Sequence, residues 1–453
     1  MKAVFFWTVR TTTMLCLVVG LANIALAQPC QYVLNQEFSS PDPMDAGFAT
    51  AVDIQGELVL IGAPNLVTGT GQVFLFDKND GSLLQTFEVS DDIVSATYGV
   101  SVAISPNGAA VLIGDPSNDT VQDGAGRAYL FDIESGDAIG HLDIPVADID
   151  PMNGGGFGSA VEISGEFYVV GATGAERAYL FNRSNLELVH TFTDPFPTSG
   201  DLGGGGDGFG HAVAIAGNRV VVGSPFDWSQ NIFSGDSHVF DTETGQRLAT
   251  IQSPIFDPGQ FGVDVAVSEE FIVNGASFGG IENMLGPGQV HIYDAQSLAY
   301  LRTIDPPVGG GFGSSVALFG GRLVVGANRV DGDFDNVGQA YVFDAATGEL
   351  LQTLDDPTPI ADDQFGFAIA TDGNSILVSS GDFLTFPGPG DASLFRLEYE
   401  IGDINRDGTV NLLDVAPFVD AISSGTYQCE ADTNGDQSVD LLDVAGFITA
   451  LSP

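Results

Sequence analysis

The chain has 453 residues, of which 60 are acidic and only 13 are lysine or arginine, so its formal net charge is −47. A field of this sign repels nucleic acids and anionic membranes and attracts cations, Ca²⁺ included. Nucleic acid is therefore a poor candidate partner. With 59 glycines, 32 phenylalanines and few helical patterns before residue 400, the composition favours an all-β fold.

The first 27 residues have the pattern of a cleaved secretory signal. Lys2 and Arg10 precede a short apolar stretch, and small residues stand at the two positions that a signal peptidase reads, Ala25 and Ala27. The apolar stretch is shorter than the ~20 residues of a membrane-spanning helix, and no later stretch is longer. We expect a signal peptide over residues 1–27 and a secreted or cell-surface-associated mature chain without a transmembrane segment. Its 11 basic and 60 acidic residues give a net charge of −49.

Two cysteines remain after the signal segment, because Cys16 leaves with it. Cys30 and Cys429 form an even pair in an oxidising compartment, which makes a disulfide between them plausible. Spacing alone does not give the geometry that a disulfide needs. The alternative, two unpaired thiols, stays open at this point.

One phrase recurs seven times between residues 48 and 400. It begins with an aromatic residue and glycine, continues through Val-Ala to an apolar run ending in Gly-Ala-Pro, and finishes with a second apolar run ending in Phe-Asp. The steps of 50 to 59 residues between copies define an internal repeat. The opening aromatic residues are Phe48, Tyr98, Phe157, Phe209, Phe261, Phe312 and Phe365.

Each repeat has room for four short strands. Its apolar runs are four to six residues long and are bounded by Gly, Asn, Asp and Pro, as strands and turns are. Runs such as 58–61 and 323–325 are apolar at successive positions, which is typical of strands covered on both faces. A period near fifty with four strands predicts a seven-bladed β-propeller over residues 28–400, because neighbouring blades supply that cover.

The ends of the repeat array predict how the ring closes. The seventh repeat stops after residues 394–397 and lacks its fourth strand, whereas residues 32–38, before the first repeat, have the character of that strand. We expect residues 32–38 to pair with residues 393–397, so that the N-terminal segment completes the last blade.

The repeat resembles the FG-GAP repeats of integrin α-chain propellers over roughly residues 31–400, in phrases such as FGHAV at 209–213 followed by VGSP at 222–225. In that family some blades hold Ca²⁺ in an acidic loop between the first two strands. The matching turns here, such as DIQGE at 53–57, lack the acidic spacing, so the resemblance does not imply calcium in the blades. Asp331, Asp333 and Asp335 lie in a different loop and form a weaker candidate ion site.

Two twelve-residue stretches after residue 400 share a calcium-loop pattern, DINRDGTVNLLD at 403–414 and DTNGDQSVDLLD at 432–443. An EF-hand-type loop supplies oxygen ligands from positions 1, 3, 5, 7, 9 and 12, and a glycine at position 6 lets the backbone turn sharply. Gly408 fills that position in the first loop and Gln437 in the second. Two Ca²⁺ ions are expected. Their ligands are Asp403, Asn405, Asp407, the Thr409 carbonyl, Asn411 and Asp414 in the first loop, and Asp432, Asn434, Asp436, the Ser438 carbonyl, Asp440 and Asp443 in the second.

A duplicated calcium loop followed by a helix, without the helix that precedes an EF-hand loop, resembles the dockerin domain over residues 401–453. The resemblance implies a small α-helical, calcium-binding domain that docks onto a cohesin-like or other extracellular protein. Dockerin loops that bind cohesin usually carry Ser or Thr at positions ten and eleven, where this chain has Leu412-Leu413 and Leu441-Leu442. The leucines are either a hydrophobic docking face or core residues. Pro417 and Gly446 are expected to interrupt the two helices near their second turn.

No catalytic constellation accompanies these motifs. The glycine run at 203–206 lacks the Lys and Ser or Thr of a phosphate loop, and no two of the five histidines have metal-ligand spacing. We therefore expect a non-catalytic binding or assembly protein whose propeller presents a surface to a protein or carbohydrate ligand. The alternative is an extracellular enzyme or accessory component of polysaccharide degradation. That alternative requires acidic residues that converge at one mouth of the ring, at least one of them with a raised pKa.

Overall fold

Seven antiparallel sheets of four strands form the blades of a propeller in the computed structural model. The predicted seven-bladed all-β fold is therefore confirmed. The structure describes residues 31–42, 47–65, 69–89, 95–150, 154–195, 206–227, 234–254, 259–278, 286–332, 334–381 and 390–397, and beyond them 402, 404, 410, 412–424, 431–433 and 439–451. The expected signal peptide, 1–27, and the two cysteines of the expected disulfide, Cys30 and Cys429, lie outside these residues.

Each blade runs from an inner first strand, which lines the central channel, to an outer fourth strand. The first strand of the chain, β1 (Tyr32–Ser39), belongs to blade 7. Blades 1 to 3 contain β2 (Ala51–Gln55), β3 (Leu58–Ala63), β4 (Gln72–Asp77) and β5 (Leu83–Phe87); β6 (Ser101–Ile104), β7 (Ala110–Asp115), β8 (Arg127–Asp132) and β9 (Ala138–Asp143); and β10 (Phe157–Ile163), β11 (Phe167–Ala172), β12 (Arg177–Asn182) and β13 (Leu188–Thr193).

Blades 4 to 7 follow in the same order around the ring. They contain β14 (Val213–Ala216), β15 (Arg219–Ser224), β16 (Asp236–Asp241) and β17 (Arg247–Gln252); β18 (Phe261–Val267), β19 (Phe271–Ala276), β20 (Gln289–Asp294) and β21 (Tyr300–Ile304); β22 (Phe312–Phe319), β23 (Arg322–Ala327), β24 (Gln339–Asp344) and β25 (Leu350–Asp355); and β26 (Ile369–Thr371), β27 (Ser375–Ser380) and β28 (Asp391–Leu397). Two helices, α1 (Val415–Ser424) and α2 (Val444–Ala450), come after the propeller.

The second and third strands are buried at nearly every position because a neighbouring blade covers each face. All six residues of β7 are buried. Val111 and Ile113 pack against blade 1, whereas Leu112, on the opposite face of the same strand, packs against blade 3. The continuous apolar runs of the sequence are thus explained by blade stacking.

Close backbone contact between neighbouring blades explains the two glycines of the repeat phrase. The glycine of the second strand lies against the carbonyl oxygen of the glycine that follows the next blade's opening aromatic residue. A Cβ atom at Gly114 would be 2.1 Å from the Gly158 oxygen, and one at Gly326 would be 2.1 Å from the Gly366 oxygen. Gly158 and Gly366 also have φ of 93° and 90°, which side chains rarely adopt. The Gly-Ala phrase of one blade and the Phe-Gly phrase of the next blade therefore lie against each other. We call this close backbone contact the seam between two blades.

The Phe-Asp phrase ends the third strand because its aspartate closes the turn to the fourth. Asp132 Oδ1 accepts a hydrogen bond from Ser135 N at 2.8 Å, and Asp241 Oδ1 accepts one from Thr244 N at 2.8 Å. Such side-chain turns hold the backbone two or three residues ahead of an aspartate. The preceding aromatic residue packs in the core of the blade.

The ring closes between β1 and β28, as the ends of the repeat array predict. The two strands are antiparallel, with Tyr32 opposite Leu397. Tyr32 and Phe38 are 4% and 2% exposed. Tyr32 packs in a cluster with blade 6 residues, whereas Phe38 packs with blade 1, its ring centroid 5.2 Å from that of Phe76. Gln352 of blade 6 accepts from Tyr32 N and donates to Tyr32 O, both at 2.7 Å. This single strand therefore joins three consecutive blades.

Every outer strand contains a β-bulge at the same place, close to its start. The extra residue shifts the register of the outer strand against the third strand, and a bulge of this kind bends and twists the strand that carries it. The extra residues are Asn35 in β1 and Leu84, Ile139, Val189, Leu248, Leu301 and Leu351 in the other blades.

Candidate functional site

The C-terminal unit is built around two stacked phenylalanines. Phe418 in α1 and Phe447 in α2 have ring centroids 4.0 Å apart and an interplanar angle of 20°. Ile404, Ala431 and Val439 are buried with them. Since the two phenylalanines occupy equivalent places in the duplicated sequence, the two halves share one small core.

Four of the twelve predicted calcium ligands belong to the described residues. Asp414, Asp432 and Asp443 are fully buried, whereas Asp440 is exposed. In the second loop, Asp443 Oδ1 accepts from Thr433 N at 2.7 Å and Asp443 Oδ2 accepts from Asp440 N at 2.9 Å. Backbone N–H groups of loop positions 2 and 9 thus converge on the carboxylate of position 12. The other predicted ligands, Asp403, Asn405, Asp407, Thr409, Asn411, Asn434, Asp436 and Ser438, lie outside the described residues.

The chemistry of these side chains fits a hard cation. Ca²⁺ takes oxygen ligands only, and a buried carboxylate needs a compensating positive charge or hydrogen bonds. Three fully buried aspartates in a unit of this size meet that description. Within the described part of the chain, no three His, Cys, Asp or Glu side chains are close enough together to hold a metal ion.

Pro417 and Gly446 do not interrupt the two helices, so this sequence prediction was wrong. α1 begins at Val415 and α2 at Val444, which makes each residue the third of its helix. Proline is tolerated in the first turn because the N–H groups there have no partner within the helix. Gly446 is required by packing, since a Cβ atom there would lie 2.3 Å from Thr433 Oγ1.

The two leucine pairs lie on the surface of the C-terminal unit. Leu412, Leu413, Leu441 and Leu442 are 80%, 68%, 77% and 69% exposed. Each pair comes immediately before the buried aspartate of loop position 12. The core interpretation of the leucines is therefore excluded. Exposed apolar side chains clustered on so small a unit are typical of an interaction surface.

A second candidate site is a cavity of about 680 Å³ at the centre of the ring. It opens on the upper face, which is the face that carries the loops between second and third strands. Its rim includes Phe226, Phe278 and Arg329, and the guanidinium carbon of Arg329 lies 4.7 Å from the ring centroid of Phe278. Glu162 and Asp264, from two inner strands, lie among its walls.

Two carboxylates of the inner strands link neighbouring blades. Asp264 Oδ1 accepts from Val265 N at 2.9 Å and Asp264 Oδ2 from Val316 N of the next blade at 2.7 Å. Asp53 makes the same kind of link to Ile104 N of blade 2, at 2.6 Å. Burial raises the pKa of Asp264 to about 7 and that of Asp53 to about 6, against the lowering effect of these hydrogen bonds.

Glu162 is the most strongly perturbed carboxyl of the channel. Burial, followed by the charge of Asp53, raises its pKa to about 8, and its hydrogen bond from Ile163 N is long, at 3.3 Å. The carboxyl therefore keeps its proton to a higher pH than an exposed glutamate does. Sequence reasoning did not single out these acids, although a signal was present. The alanine of the Val-Ala phrase is replaced by Asp53 in the first repeat and by Glu162 in the third.

Glu162→Gln is expected to stabilise the protein at alkaline pH. An acid whose pKa is raised on folding costs stability as the pH rises from its unfolded value, 4.5, to its folded value, about 8. The amide keeps the size and the acceptor oxygen without the charge. At pH 8.5 we expect an unfolding free energy higher by about 2 kcal/mol, less than the full pKa shift implies because the Glu162 side chain is partly exposed. Denaturant unfolding at pH 8.5 and pH 5 measures it.

The gain should shrink towards pH 5, where the folded glutamate is protonated. Glu166→Gln is the control, because Glu166 is an exposed acid in the following turn and its neutralisation should change stability little at either pH. An equal effect of both substitutions at pH 8.5 would show that overall charge, rather than the channel carboxyl of Glu162, is responsible.

In the acidic loop of blade 6, which contains Asp331, Asp333 and Asp335, a carboxylate accepts a hydrogen bond from the backbone of the same loop. Asp331 Oδ1 accepts from Asn336 N at 3.0 Å, and Asp335 O accepts from Asp362 N at 2.9 Å. Asp333 lies outside the described residues. The described contacts of this loop are those of a hydrogen-bonded turn.

Comparison with known families agrees with both resemblances. Residues 401–452 match the model of the dockerin type I domain, and residues 301–343, from the outer strand of blade 5 to the third strand of blade 6, match the model of the FG-GAP repeat. No curated protein matches the chain. Both domains are typical of extracellular proteins. Neither of the two described helices is long and apolar enough to cross a membrane.

Proposed function

We propose that this chain, a propeller with an FG-GAP repeat and a C-terminal dockerin type I domain, is a secreted, non-catalytic assembly protein. After removal of a signal peptide, 1–27, the domain at 401–453 attaches it to a cohesin-like partner, and the propeller at 28–400 presents a surface to a protein or carbohydrate ligand. The observation that supports docking is the exposed leucine pair in each half of the C-terminal domain.

The docking surface and the calcium loops are parts of one structure. The leucines are positions ten and eleven of each loop, and position 12 is a buried aspartate, Asp414 or Asp443. Two Ca²⁺ ions would hold these loops and so fix the direction in which the leucines point. Docking should therefore require calcium, because metal binding and folding are coupled in small metal-binding domains.

The test uses the full mature chain and immobilised type I cohesin modules. We expect binding in excess Ca²⁺ and loss of binding after chelation. A variant with Leu412, Leu413, Leu441 and Leu442 replaced by serine should bind at least about 100-fold more weakly, because burying one leucine contributes about 1.5–3 kcal/mol. Its calcium content should not change, since no leucine side chain is a ligand.

The matched control is Ile139→Ser, which removes an exposed apolar side chain from the rim of the propeller. It should leave cohesin binding unchanged. The proposal fails if no cohesin module binds the calcium-loaded wild type, or if the serine variant binds as tightly as the control.

One observation supports the enzymatic alternative in polysaccharide degradation. Glu162 and Asp264 lie in the same cavity, and both have raised pKa values. Both oxygens of Asp264, however, are bonded to backbone N–H groups of two blades, which favours a structural role. Release of reducing sugar from polysaccharides by the wild type, abolished in Glu162→Gln, would establish the alternative.

A further inference from the structure

One position of the repeat gives the upper mouth of the central cavity an asymmetric lining. It is the third residue after the glycine of the second strand, at the start of the loop to the third strand. In blades 1 to 3 this residue is Asn65, Ser117 and Gly174, whereas in blades 4 to 6 it is Phe226, Phe278 and Arg329. The three residues of blades 4 to 6 line the cavity, and that of blade 7 lies outside the described residues. Three consecutive blades thus form an arc of large side chains at one side of the mouth.

The two phenylalanines of the arc are held by neighbouring side chains without being fully buried. The ring of His211, which also lines the cavity, lies edge-on to that of Phe226, with centroids 5.8 Å apart and an interplanar angle of 75°. The guanidinium carbon of Arg329 lies 4.7 Å from the ring centroid of Phe278. Both phenylalanines are partly exposed, and Arg329 is exposed and has no ion pair in the described part of the chain. The arc therefore offers aromatic carbon and N–H donors side by side.

Two glutamines occupy a backbone position that suits glycine. The residue before the opening aromatic residue has a positive φ in five blades, and in three of them it is a glycine, Gly156, Gly208 or Gly311. Blades 5 and 7 have Gln260 and Gln364 there, with φ of 55° and 56°, which side chains rarely adopt outside functional sites. Gln260 Oε1 accepts from Ser277 Oγ at 3.2 Å, and Gln364 Oε1 accepts from Asn328 Nδ2 at 3.4 Å. Gln260, Ser277 and Asn328 line the cavity, so both glutamines support polar groups of its mouth.

The size and composition of the mouth favour a sugar over a protein ligand. The cavity volume of about 680 Å³ lies within the range of small-ligand pockets, roughly 300–1,000 Å³. A protein partner instead covers about 800 Å² of open surface on each side, which a cavity inside the ring does not provide. A sugar ring combines apolar C–H faces with hydroxyl groups at its edge, and so matches phenylalanine rings beside planar arginine and amide groups. The net charge of −47 disfavours an anionic sugar.

We propose that the upper mouth of the central cavity binds one neutral pyranose ring of a polysaccharide chain. Phe226 and Phe278 contact the C–H faces of the sugar, and Arg329 and Gln260 donate hydrogen bonds to its hydroxyl groups. Space for the ring lies opposite the arc, where the residues of blades 1 to 3 that correspond to His211 are the smaller Thr50, Val100 and Ser159. This inference rests on the proposed function, in which the propeller presents a surface to a ligand, and it specifies the place and the chemical class.

The test measures binding of cellohexaose, xylohexaose and mannohexaose to the full mature chain by isothermal titration calorimetry. Wild type should bind at least one of the three. Phe226→Ala and Phe278→Ala should each weaken that binding about tenfold or more, because each removes an apolar face from the sugar. Phe334→Ala is the matched control, since Phe334 is 49% exposed in the loop between β23 and β24 on the same face but does not line the cavity; the affinity should not change.

Gln260→Gly separates binding from folding. Glycine adopts the positive φ without strain, so the denaturant midpoint should change little, whereas loss of the amide should weaken sugar binding about fivefold. A lower midpoint with unchanged affinity would show that Gln260 serves the fold alone and would contradict its role in the site.

The site is overturned if none of the three sugars binds the wild type, or if Phe278→Ala binds as tightly as Phe334→Ala. The first outcome leaves the propeller to a protein ligand. Cohesin binding by the same preparation tests the docking function separately, so a chain that docks but binds no sugar contradicts the sugar site and not the docking function.

Discussion

Phe38→Ala is expected to lower the unfolding free energy of the propeller by about 3–5 kcal/mol, the usual cost of truncating a buried phenylalanine. Phe38 is 2% exposed and packs between blade 7 and blade 1, against Phe76. The substitution leaves an empty space where the Phe38 ring was. Because β1 is the strand that closes the ring of blades, this space weakens the place where the two ends of the repeat array are joined. Denaturant unfolding followed by tryptophan fluorescence measures the loss.

The control is Val33→Ala in the same strand. Val33 is 47% exposed, so its truncation should change stability by less than about 0.5 kcal/mol. If the two substitutions destabilise the protein equally, the strand contributes through its backbone ladder and not through the packing of Phe38.

Gly326→Ala is expected to cost about 3 kcal/mol or more, at the upper end of overpacking effects. The added methyl carbon would lie 2.1 Å from the carbonyl oxygen of Gly366. That oxygen belongs to the backbone of the next blade, so the contact is relieved only if blades 6 and 7 move apart. Thermal and denaturant unfolding of the purified variant measure the effect, and a loss of soluble protein is the extreme form of the same result.

Gly165→Ala is the matched control for the glycine substitution. A Cβ atom at Gly165 would have open space around it, with no neighbouring atom within 4 Å, and the φ angle of this residue is not positive. Alanine there should be neutral or slightly stabilising, because it reduces the conformational freedom of the unfolded chain. A neutral Gly326→Ala would contradict the seam geometry.

The fold can be predicted from the sequence because the same pattern of apolar runs and turn residues occurs seven times. Any single apolar run, such as 323–325, is ambiguous between strand and buried helix. Seven copies with a fixed period leave only a radial arrangement of four-stranded units, and the missing fourth strand of the last copy predicts the role of residues 32–38. The seam glycines are visible as a pattern, but the distance from Gly326 to a carbonyl of another blade requires coordinates.

The candidate sites are less accessible to sequence reasoning because they depend on contacts between distant residues. The exposure of Leu412 and Leu441 depends on how two halves share one core, and apolar residues beside a calcium loop suit either a core or a surface. The sequence suggests that Gly446 breaks its helix, because glycine is a poor helix former. The structure shows instead that glycine is needed there because a side chain would collide with Thr433.

The bulge on each outer strand affects how neighbouring molecules of this protein interact at high local concentration. If many copies of this protein are docked side by side on one scaffold, their rims meet at high local concentration, and seven strand edges per molecule face those of the neighbours. A flat edge would template strand pairing between chains, but a bulged and twisted edge does not present a regular row of donors and acceptors. The propeller can therefore be packed densely in an assembly without joining its neighbours into a continuous sheet.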